Sequence, residues 1–174
     1  MKLNLGCGHV KIEGFVNIDV NPDVKPDLVG DITKSLPYAN DSVSEIWLIH
    51  VIEHIQKKYH IPLYMEMNRI LKKNGIIVMA YPEFVKCAMN YVTNKKGKRD
   101  FWEMTVYGRQ NTPSDFHVSL MDSSLLVPQL ISMGFGVTTQ PQEGDDYYTV
   151  LKGVKLRNVI SRDDVVRQEI FDFS

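Results

Sequence analysis

The sequence predicts an α/β fold in which a mostly parallel sheet is wound with helices, and two features indicate it. Short apolar runs of strand character alternate along the chain with segments of helical periodicity, a pattern typical of parallel sheets. The run at 76–80, Ile-Ile-Val-Met-Ala, is continuously apolar, as a parallel strand covered on both faces should be. No repeat, low-complexity tract or linker is evident, so we predict a single domain over residues 1–174.

Seven strands are predicted, of which the last two form an antiparallel C-terminal hairpin because a loop at 141–146 joins them. β-branched content and flanking turn residues identify the strands. In chain order they lie at 2–6, 15–20, 27–31, 43–49, 76–80, 135–139 and 147–156.

Five helices are predicted from apolar spacing and from capping residues. The first has Pro62 in its first turn and ends at Asn74-Gly75. The last begins near Ser161. Between them lie a helix opened by Pro82 with Phe84, Ala88, Tyr91 and Val92 on one face, a short helix around 101–102, and a helix capped by Asp122 with Leu126, Leu130 and Met133 inward.

The connections at 7–14 and 21–26 are too short to hold full crossover helices. One face of the sheet therefore has a reduced set of helices. Because an uncovered apolar face is unstable in water, we expect the segment 157–174, a second copy of the chain, or both to cover it. A homodimer is thus an expected assembly.

Composition narrows the class of protein. The net charge of −1 provides no basic field to hold a nucleic-acid backbone, and no apolar run is long enough to span a membrane. The first residues do not resemble a signal peptide, so we expect a cytoplasmic protein whose two cysteines, Cys7 and Cys87, are reduced thiols. Two cysteines cannot form a four-cysteine zinc site.

Polar or flexible residues follow four of the predicted strands. Gly6 and Gly8 follow the first strand, where glycines let a ligand approach the backbone. Asp19 ends the second strand and can accept hydrogen bonds from ribose hydroxyls, and Asp31 ends the third. His50 ends the fourth. Ligands of wound sheets bind beyond the carboxyl ends of the strands, so these residues predict a nucleoside site.

A nicotinamide oxidoreductase is an alternative interpretation of the glycine turn. The dinucleotide fingerprint requires a third glycine at position 11, where this chain has Lys11. That substitution disfavours a nicotinamide cofactor.

Six segments of the chain form an ordered series of motifs. They are LNLGCG at 3–8, NID at 17–19, GDI at 30–32, LPYANDSVSEIWLIHVIEHI at 36–55, LKKNGIIVMAYP at 71–82 and FHVSLMDSSLLVPQLISMGF at 116–135. This series resembles the class I S-adenosylmethionine-dependent methyltransferase family. The resemblance implies a Rossmann-like fold, S-adenosyl-L-methionine as cofactor and methyl transfer as the activity.

The resemblance also implies the residues that bind the cofactor. The glycine turn would lie along the methionine part of the cofactor. The ends of the second and third strands would hold the ribose and the adenine, and the end of the fourth strand would line the site. These residues are Gly6, Cys7 and Gly8 for the methionine part, Asp19 and Val20 for the ribose, Asp31 and Ile32 for the adenine, and His50.

The chain departs from the family pattern at several points. Asn4 stands where an acidic residue is usual, the third glycine is absent, and the helix that precedes the first strand is missing from this sequence. These departures keep open an alternative from another class, a non-catalytic subunit that binds S-adenosylmethionine or S-adenosylhomocysteine.

Three side chains are candidates for catalysis by position: His50, His117 and Tyr81. For an oxygen acceptor, a base that titrates near neutral pH would assist the transfer, and the sequence leaves open whether one is used. Trp102, Tyr107 and Phe116, in the region 83–121, are candidates for the acceptor wall, with core packing as the alternative for each. The sequence lacks the motifs of DNA amino-methylating and cytosine-methylating enzymes, so a small-molecule or saccharide acceptor is expected.

The segment His50-Val51-Ile52-Glu53-His54 also spells the H-x-x-E-H pattern of zinc peptidases. That mechanism requires both histidines on one helix, whereas His50 falls at a strand end. Capping and loop packing are the preferred roles for Glu53 and His54, and we predict no metal site.

Overall fold

The computed structural model describes residues 1–141 and 147–159, and its strands form one seven-stranded sheet. The strands are β1 (Lys2–Leu5), β2 (Val16–Asp19), β3 (Leu28–Val29), β4 (Val43–Ile49), β5 (Leu71–Pro82), β6 (Phe135–Pro141) and β7 (Tyr148–Lys155). Their order across the sheet is β3-β2-β1-β4-β5-β7-β6. The first five strands pair in parallel, and β7 pairs antiparallel with both β5 and β6. The predicted fold class is therefore confirmed.

Four α-helices accompany the sheet within the described residues. They are α1 (His60–Ile70), α2 (Phe84–Val92), α3 (Arg99–Tyr107) and α4 (Ser123–Ser132). Short 3₁₀ turns complete the connections, including Pro22–Val24 and Ile52–His54. In the part of the chain that the structure describes, no helix is both long and apolar enough to cross a membrane.

The boundary between α1 and β5 differs from the prediction. The helix ends at Ile70, and β5 begins at Leu71 rather than at Ile76. Leu71 is fully buried and pairs with Val43 of β4, so the strand begins five residues earlier than predicted. Asn74, with a φ of 64°, lies at an irregularity inside the strand.

One face of the sheet carries the hydrophobic core. Leu3, Leu5, Ile46 and Met79 are buried beneath α1 and α4. As predicted, α4 is capped by Asp122, whose Oδ1 accepts a hydrogen bond from the Ser124 amide at 2.8 Å. Its inward residues are also as predicted: Leu126, Leu130 and Met133 are buried. Pro128 lies inside the helix without ending it.

The buried face of α2 differs from the prediction. Val92 and Tyr91 are exposed, and the buried residues are Cys87 and Asn90. The reason is that α2 packs beside α3 and the start of β7, where the Cys87 thiol contacts the Tyr147 carbonyl at 3.6 Å. The predicted helix at Ser161 and the loop 142–146 lie outside the described residues.

The opposite face of the sheet has fewer helices, as the short connections predict. No α-helix separates β1 from β2 or β2 from β3. The face is chemically mixed, since its half-buried Trp47 and Val78 lie among Lys2, Glu45 and the exposed Lys152. It is thus less apolar than expected.

The described chain ends on the side of α1. The Val159 amide donates to the Asn68 Oδ1 atom at 3.1 Å, and Asn68 is a fully buried residue of α1. Most of the segment 157–174, one of the two expected covers for the other face, lies outside the described residues.

Candidate functional site

The turn after β1 presents its backbone at the carboxyl edge of the sheet. Gly6 and Gly8 both have left-handed φ angles, 68° and 49°. A Cβ at position 6 would lie 2.7 Å from the Val51 methyl groups, so the turn packs directly against the segment after β4. At position 8 a Cβ would meet nothing within 4 Å, which leaves the backbone open for a ligand.

The structure brings Asp19 against this turn. Its Oδ2 accepts a hydrogen bond from the Gly8 amide at 2.8 Å, and its Oδ1 accepts one from the Asn21 amide at 2.9 Å. Two amide donors therefore fix the carboxylate at the end of β2. Val20, the next residue, is exposed beside it.

Asp31 lies at the next strand end along the same edge. The Gly30 amide donates to the Asp19 carbonyl at 2.9 Å, which ties the end of β3 to the end of β2. The Asp31 carboxylate accepts hydrogen bonds from the Thr33 hydroxyl and amide, and the hydroxyl bond is the main cause of its lowered pKa. Ile32, the next residue, is buried in the hydrophobic core.

Cys7 is buried within the turn. Its thiol contacts the Gly8 carbonyl at 3.4 Å, and burial raises the pKa of the thiol. Cys7 is therefore a neutral packing residue of the loop.

Asn4 supports the turn from beneath. Its amide donates to the Val10 carbonyl and to the Asn17 Oδ1, each at 3.0 Å. Asn17 in turn accepts from the Ile12 amide and donates to Asp27, each at 2.8 Å. Since a carboxylate cannot donate, the asparagine orders the loop 7–14 in a way that the usual acidic residue could not.

His50 lies between this edge of the sheet and a neighbouring cavity. It has a φ of 55°, and its amide donates to the Ala80 carbonyl at 2.8 Å. The ring is partly exposed, lies edge-on to Tyr148 with centroids 5.8 Å apart, and has its Nδ1 3.3 Å from the Glu53 Oε1.

The neighbouring cavity has a volume of about 420 Å³ and is formed by α3, the loop that follows it and the turn after β4. The helix contributes residues spaced along one face. The lining consists of His50, Glu53, His54, Pro82, Phe101, Met104, Thr105, Gly108, Arg109, Asp115, His117 and Tyr147.

The region predicted for the acceptor wall does line this cavity, but the aromatic residues predicted for it do not. Trp102 is buried and donates from its Nε1 to the Lys95 carbonyl at 3.1 Å. Tyr107 and Phe116 are exposed outside the lining. The side of α3 that faces the cavity carries Phe101, Met104 and Thr105, while Trp102 and Tyr107 lie on either side of that face and Phe116 lies in the loop after the helix.

Three side chains converge at one wall of the cavity. Single ligand atoms of Glu53, His54 and His117 all lie within 4.8 Å of one another. Glu53 is 1% exposed, and its carbonyl accepts hydrogen bonds from the Val118 and Ser119 amides. These bonds fasten the loop 116–119 to the turn at 52–54, which agrees with the loop-packing role expected for Glu53.

Burial is the main cause of the lowered pKa of His117, and the nearby charge of Glu53 acts in the opposite direction. His117 thus faces the cavity as a largely neutral ring. Of the sequence-predicted catalytic residues, the structure brings His50 and His117 to the same cavity.

Tyr81 is positioned differently, which corrects its assignment as a catalytic candidate. The side chain is fully buried, and its hydroxyl lies 3.0 Å from the Ser123 Oγ. Burial raises the pKa of Tyr81 to about 12. Ser123 also donates to Glu83, which accepts from Thr149 at 2.9 Å, so Tyr81 belongs to a structural network at the start of α4.

The peptidase interpretation of the H-x-x-E-H pattern fails its geometric requirement. Residues 52–54 form one 3₁₀ turn, and His50 precedes it in a left-handed conformation. The two histidines therefore do not share a helix.

The strand order, the antiparallel β7 and the glycine turn beside Asp19 define a Rossmann-like nucleoside-binding fold of the methyltransferase type. In sequence, the family model of the methyltransferase domain matches residues 13–79. None of the curated proteins matches the chain.

Solved structures share the fold at low sequence identity. A SAM dependent methyltransferase from Archaeoglobus fulgidus is 15% identical with a TM-score of 0.65, over 88% of this chain and 85% of that one. A SAM-dependent methyltransferase from Methanosarcina mazei is 15% identical with a TM-score of 0.62, over 89% and 92%. A possible exported protein from Bordetella parapertussis is 12% identical with a TM-score of 0.65, and this chain covers 61% of its length.

The predicted resemblance to the class I S-adenosylmethionine-dependent methyltransferases is confirmed by the family match and by the fold. The cofactor that they imply is S-adenosyl-L-methionine. The residues present fit it, because the open backbone at Gly8 lies against the fixed carboxylate of Asp19 at the shared edge of the sheet.

Proposed function

We propose that the chain is an S-adenosylmethionine-dependent methyltransferase that acts on a polar small molecule or a saccharide. The observation that carries this proposal is a cavity of about 420 Å³ that meets the cofactor edge of the sheet at His50. A cavity of this size is typical of small-molecule sites.

Five residues at the strand ends would hold the cofactor. Gly6 and Gly8 would lie along the methionine part of the cofactor. Asp19 would accept hydrogen bonds from the ribose hydroxyls, and Asp31 with Ile32 would hold the adenine. When bound, S-adenosylmethionine supplies a sulfonium methyl group that is already activated for in-line displacement.

The protein then has to align the acceptor atom with the methyl carbon of the cofactor. The cavity walls hold the acceptor next to the methyl group and exclude water, and such positioning accounts for a large part of the rate in this chemistry. Phe101 and Tyr147, whose ring centroids are 5.5 Å apart, form an aromatic wall. Arg109 and Asp115 add hydrogen-bonding groups of both charges at the mouth, which suits a hydroxyl-rich acceptor.

Cofactor binding is tested by calorimetry with S-adenosylhomocysteine. We expect the wild type to bind it and Asp19→Asn to weaken binding at least about tenfold, because the carboxylate accepts both ribose hydroxyls. Asp23→Asn is the matched control, since Asp23 is an exposed carboxylate in the following turn. Absence of heat with the wild type, or equal affinity for Asp19→Asn, would contradict the cofactor assignment.

Methyl transfer is tested by product formation with labelled S-adenosylmethionine and a panel of metabolites and sugars. Arg109→Ala should lower turnover without changing affinity for S-adenosylhomocysteine, whereas Arg99→Ala, at the start of α3 and outside the cavity, should leave turnover unchanged. A chain that binds S-adenosylhomocysteine but methylates nothing on the panel would fit the non-catalytic alternative instead.

A further inference from the structure

We propose that Glu53, His54 and His117 bind a divalent transition-metal cation in the wall of the acceptor cavity. This proposal deepens the proposed function, because the cation would bind the acceptor oxygen beside the cofactor. Its metal-binding part can be tested without any methyl transfer.

The geometry suits one small ion. A ligand atom from each of the three residues lies within 4.8 Å of the other two, so a cation between them could contact all three after small side-chain adjustments. The ligands come from two segments, the 3₁₀ turn Ile52–His54 and the loop after α3. Hydrogen bonds from the Val118 and Ser119 amides to the Glu53 carbonyl, at 2.9 and 3.1 Å, hold these segments together.

An unpartnered carboxylate oxygen is independent evidence for a ligand. Glu53 is 1% exposed, and its Oε1 faces the His50 Nδ1 at 3.3 Å. Its Oε2 is buried and has no hydrogen-bond partner among residues 1–141 and 147–159. Burying a carboxylate oxygen without a partner is costly, and a cation at this position would offset the cost.

The His54 ring is oriented for metal binding. Its Nδ1 lies 3.0 Å from the Phe116 carbonyl, which can only accept, so Nδ1 carries the proton and Nε2 keeps its lone pair. A hydrogen bond from the second ring nitrogen to a carbonyl is the usual support of metal-binding histidines. The His117 ring lies edge-on to it, with centroids 4.7 Å apart.

The ligand set indicates which cations would bind. Two imidazoles and one carboxylate favour Mn²⁺, Fe²⁺, Co²⁺ or Zn²⁺, whereas sites for Mg²⁺ and Ca²⁺ are built mainly from oxygen. Three protein ligands leave coordination positions open toward the cavity, as in catalytic metal sites.

A hydroxyl of the acceptor would occupy one open position, and the cation would lower its pKa. The hydroxyl proton passes to water, the oxygen forms a bond to the methyl carbon, and the carbon–sulfur bond breaks. Its electron pair stays on sulfur, which leaves neutral S-adenosylhomocysteine. The products are thus a methyl ether, S-adenosylhomocysteine and one proton.

The experiment titrates the metal-stripped full chain with Mn²⁺ and follows free Mn²⁺ by electron paramagnetic resonance. We expect one Mn²⁺ per chain, with affinity reduced at least about tenfold in Glu53→Gln and in His117→Gln. Glu13→Gln and His9→Gln are matched controls, because both residues are exposed and outside the cluster, and they should bind as the wild type does. Equal affinity in all five proteins, or no Mn²⁺ binding by the wild type, would overturn the proposal.

Calorimetry with S-adenosylhomocysteine on the same samples separates the two proposals. Glu53→Gln should keep its affinity for S-adenosylhomocysteine, which also shows that the variant is folded. Mn²⁺ binding without S-adenosylhomocysteine binding would overturn the proposed function alone, and the reverse result would overturn the metal site alone.

Discussion

At the scale of single residues, the structure explains why Asn4 stands where the family usually has an acidic residue. It is buried beneath the glycine turn and donates two hydrogen bonds, to the Val10 carbonyl and to the Asn17 Oδ1. The loss of a charge at this position is visible in the sequence. The gain of two donated bonds depends on the fold of the loop 7–14 and is visible only in the structure.

The first prediction follows from these bonds. Asn4→Asp should lower the free energy of unfolding by about 1–3 kcal/mol, because both donated bonds are lost and a carboxylate then faces the Asn17 oxygen. Urea denaturation near neutral pH measures it. Asn21→Asp is the control, since the exposed Asn21 side chain accepts from the Asp23 amide and an aspartate still can. Equal stability of both variants would refute the role of Asn4 as a donor.

Glu53 is a second residue that the sequence singles out but whose partners only the structure shows. The spacing of His50, Glu53 and His54 marks the segment as unusual, but the pattern suggests a single helix as its setting. In the structure His50 precedes the turn and contacts the Glu53 carboxylate from outside it, and His117 joins Glu53 and His54 in the cluster. The third member of the cluster comes from a distant loop, which no local spacing could indicate.

At the scale of elements, the start of α1 contains a buried titratable group. His60 is 6% exposed, and its Nε2 donates to the Ile55 carbonyl at 2.9 Å. Burial is the main cause of its lowered pKa, and the charge of Lys57 acts in the same direction. Tyr64 of the same helix and Asp122, before α4, are the other titratable groups near the ring.

The second prediction concerns the pH dependence of stability. Because the pKa of His60 is lower in the folded state, the unfolded state binds the proton first as the pH falls. The contribution of His60 is complete above its unfolded pKa of about 6.5 and is lost as the pH decreases from there toward the lower folded value. Urea denaturation between about pH 8 and pH 5 measures this decrease.

His60→Gln should flatten that pH dependence, since glutamine can donate to the Ile55 carbonyl but does not titrate. His9→Gln is the control, because His9 is exposed, and it should retain the slope of the wild type. If His60→Gln had the same slope as the wild type, burial of His60 would not be the source of the pH dependence.

The boundary between α1 and β5 is the feature whose position the sequence patterns predicted least well. An asparagine–glycine pair usually marks the end of a helix, yet here it lies inside the long strand β5. Pairing of Leu71 with Val43 decides the boundary, and that contact joins two strands that are far apart in sequence. Strand β4, by contrast, has the predicted bounds, because turn residues mark its start and an apolar run over 46–49 completes it.

At the scale of the whole molecule, the sheet has one face under α1 and α4 and one face without α-helices between its first three strands. The second face combines apolar residues such as Trp47 and Val78 with charges of both signs, Lys2, Glu45 and Lys152. We propose that a second copy of the chain packs on this face. A two-fold interface is self-complementary, and a face with both charge signs can pair with itself.

The third prediction tests this dimer. Light scattering after size exclusion should give twice the mass of the chain, and Trp47→Glu should give the mass of a single chain, because it introduces a charge at the centre of the face. Ile131→Glu is the control, since Ile131 is an exposed apolar residue of α4, on the other side of the sheet. A monomeric wild type would exclude the second copy as the cover.

The sequence by itself predicted the class of fold and the polar residues that follow the strands, because these depend on local patterns: alternation along strands and glycine turns. The cofactor followed from the resemblance to the class I methyltransferase family. It also predicted an acceptor region between residues 83 and 121, which stays a prediction. Only the tertiary structure decided which side chains line the cavity, that Tyr81 is excluded from it, and that Glu53 and His54 meet His117. The physical reason is that these contacts join segments far apart in the sequence: Tyr81 contacts Ser123, 42 residues away, and the loop after α3 brings His117 to Glu53 and His54.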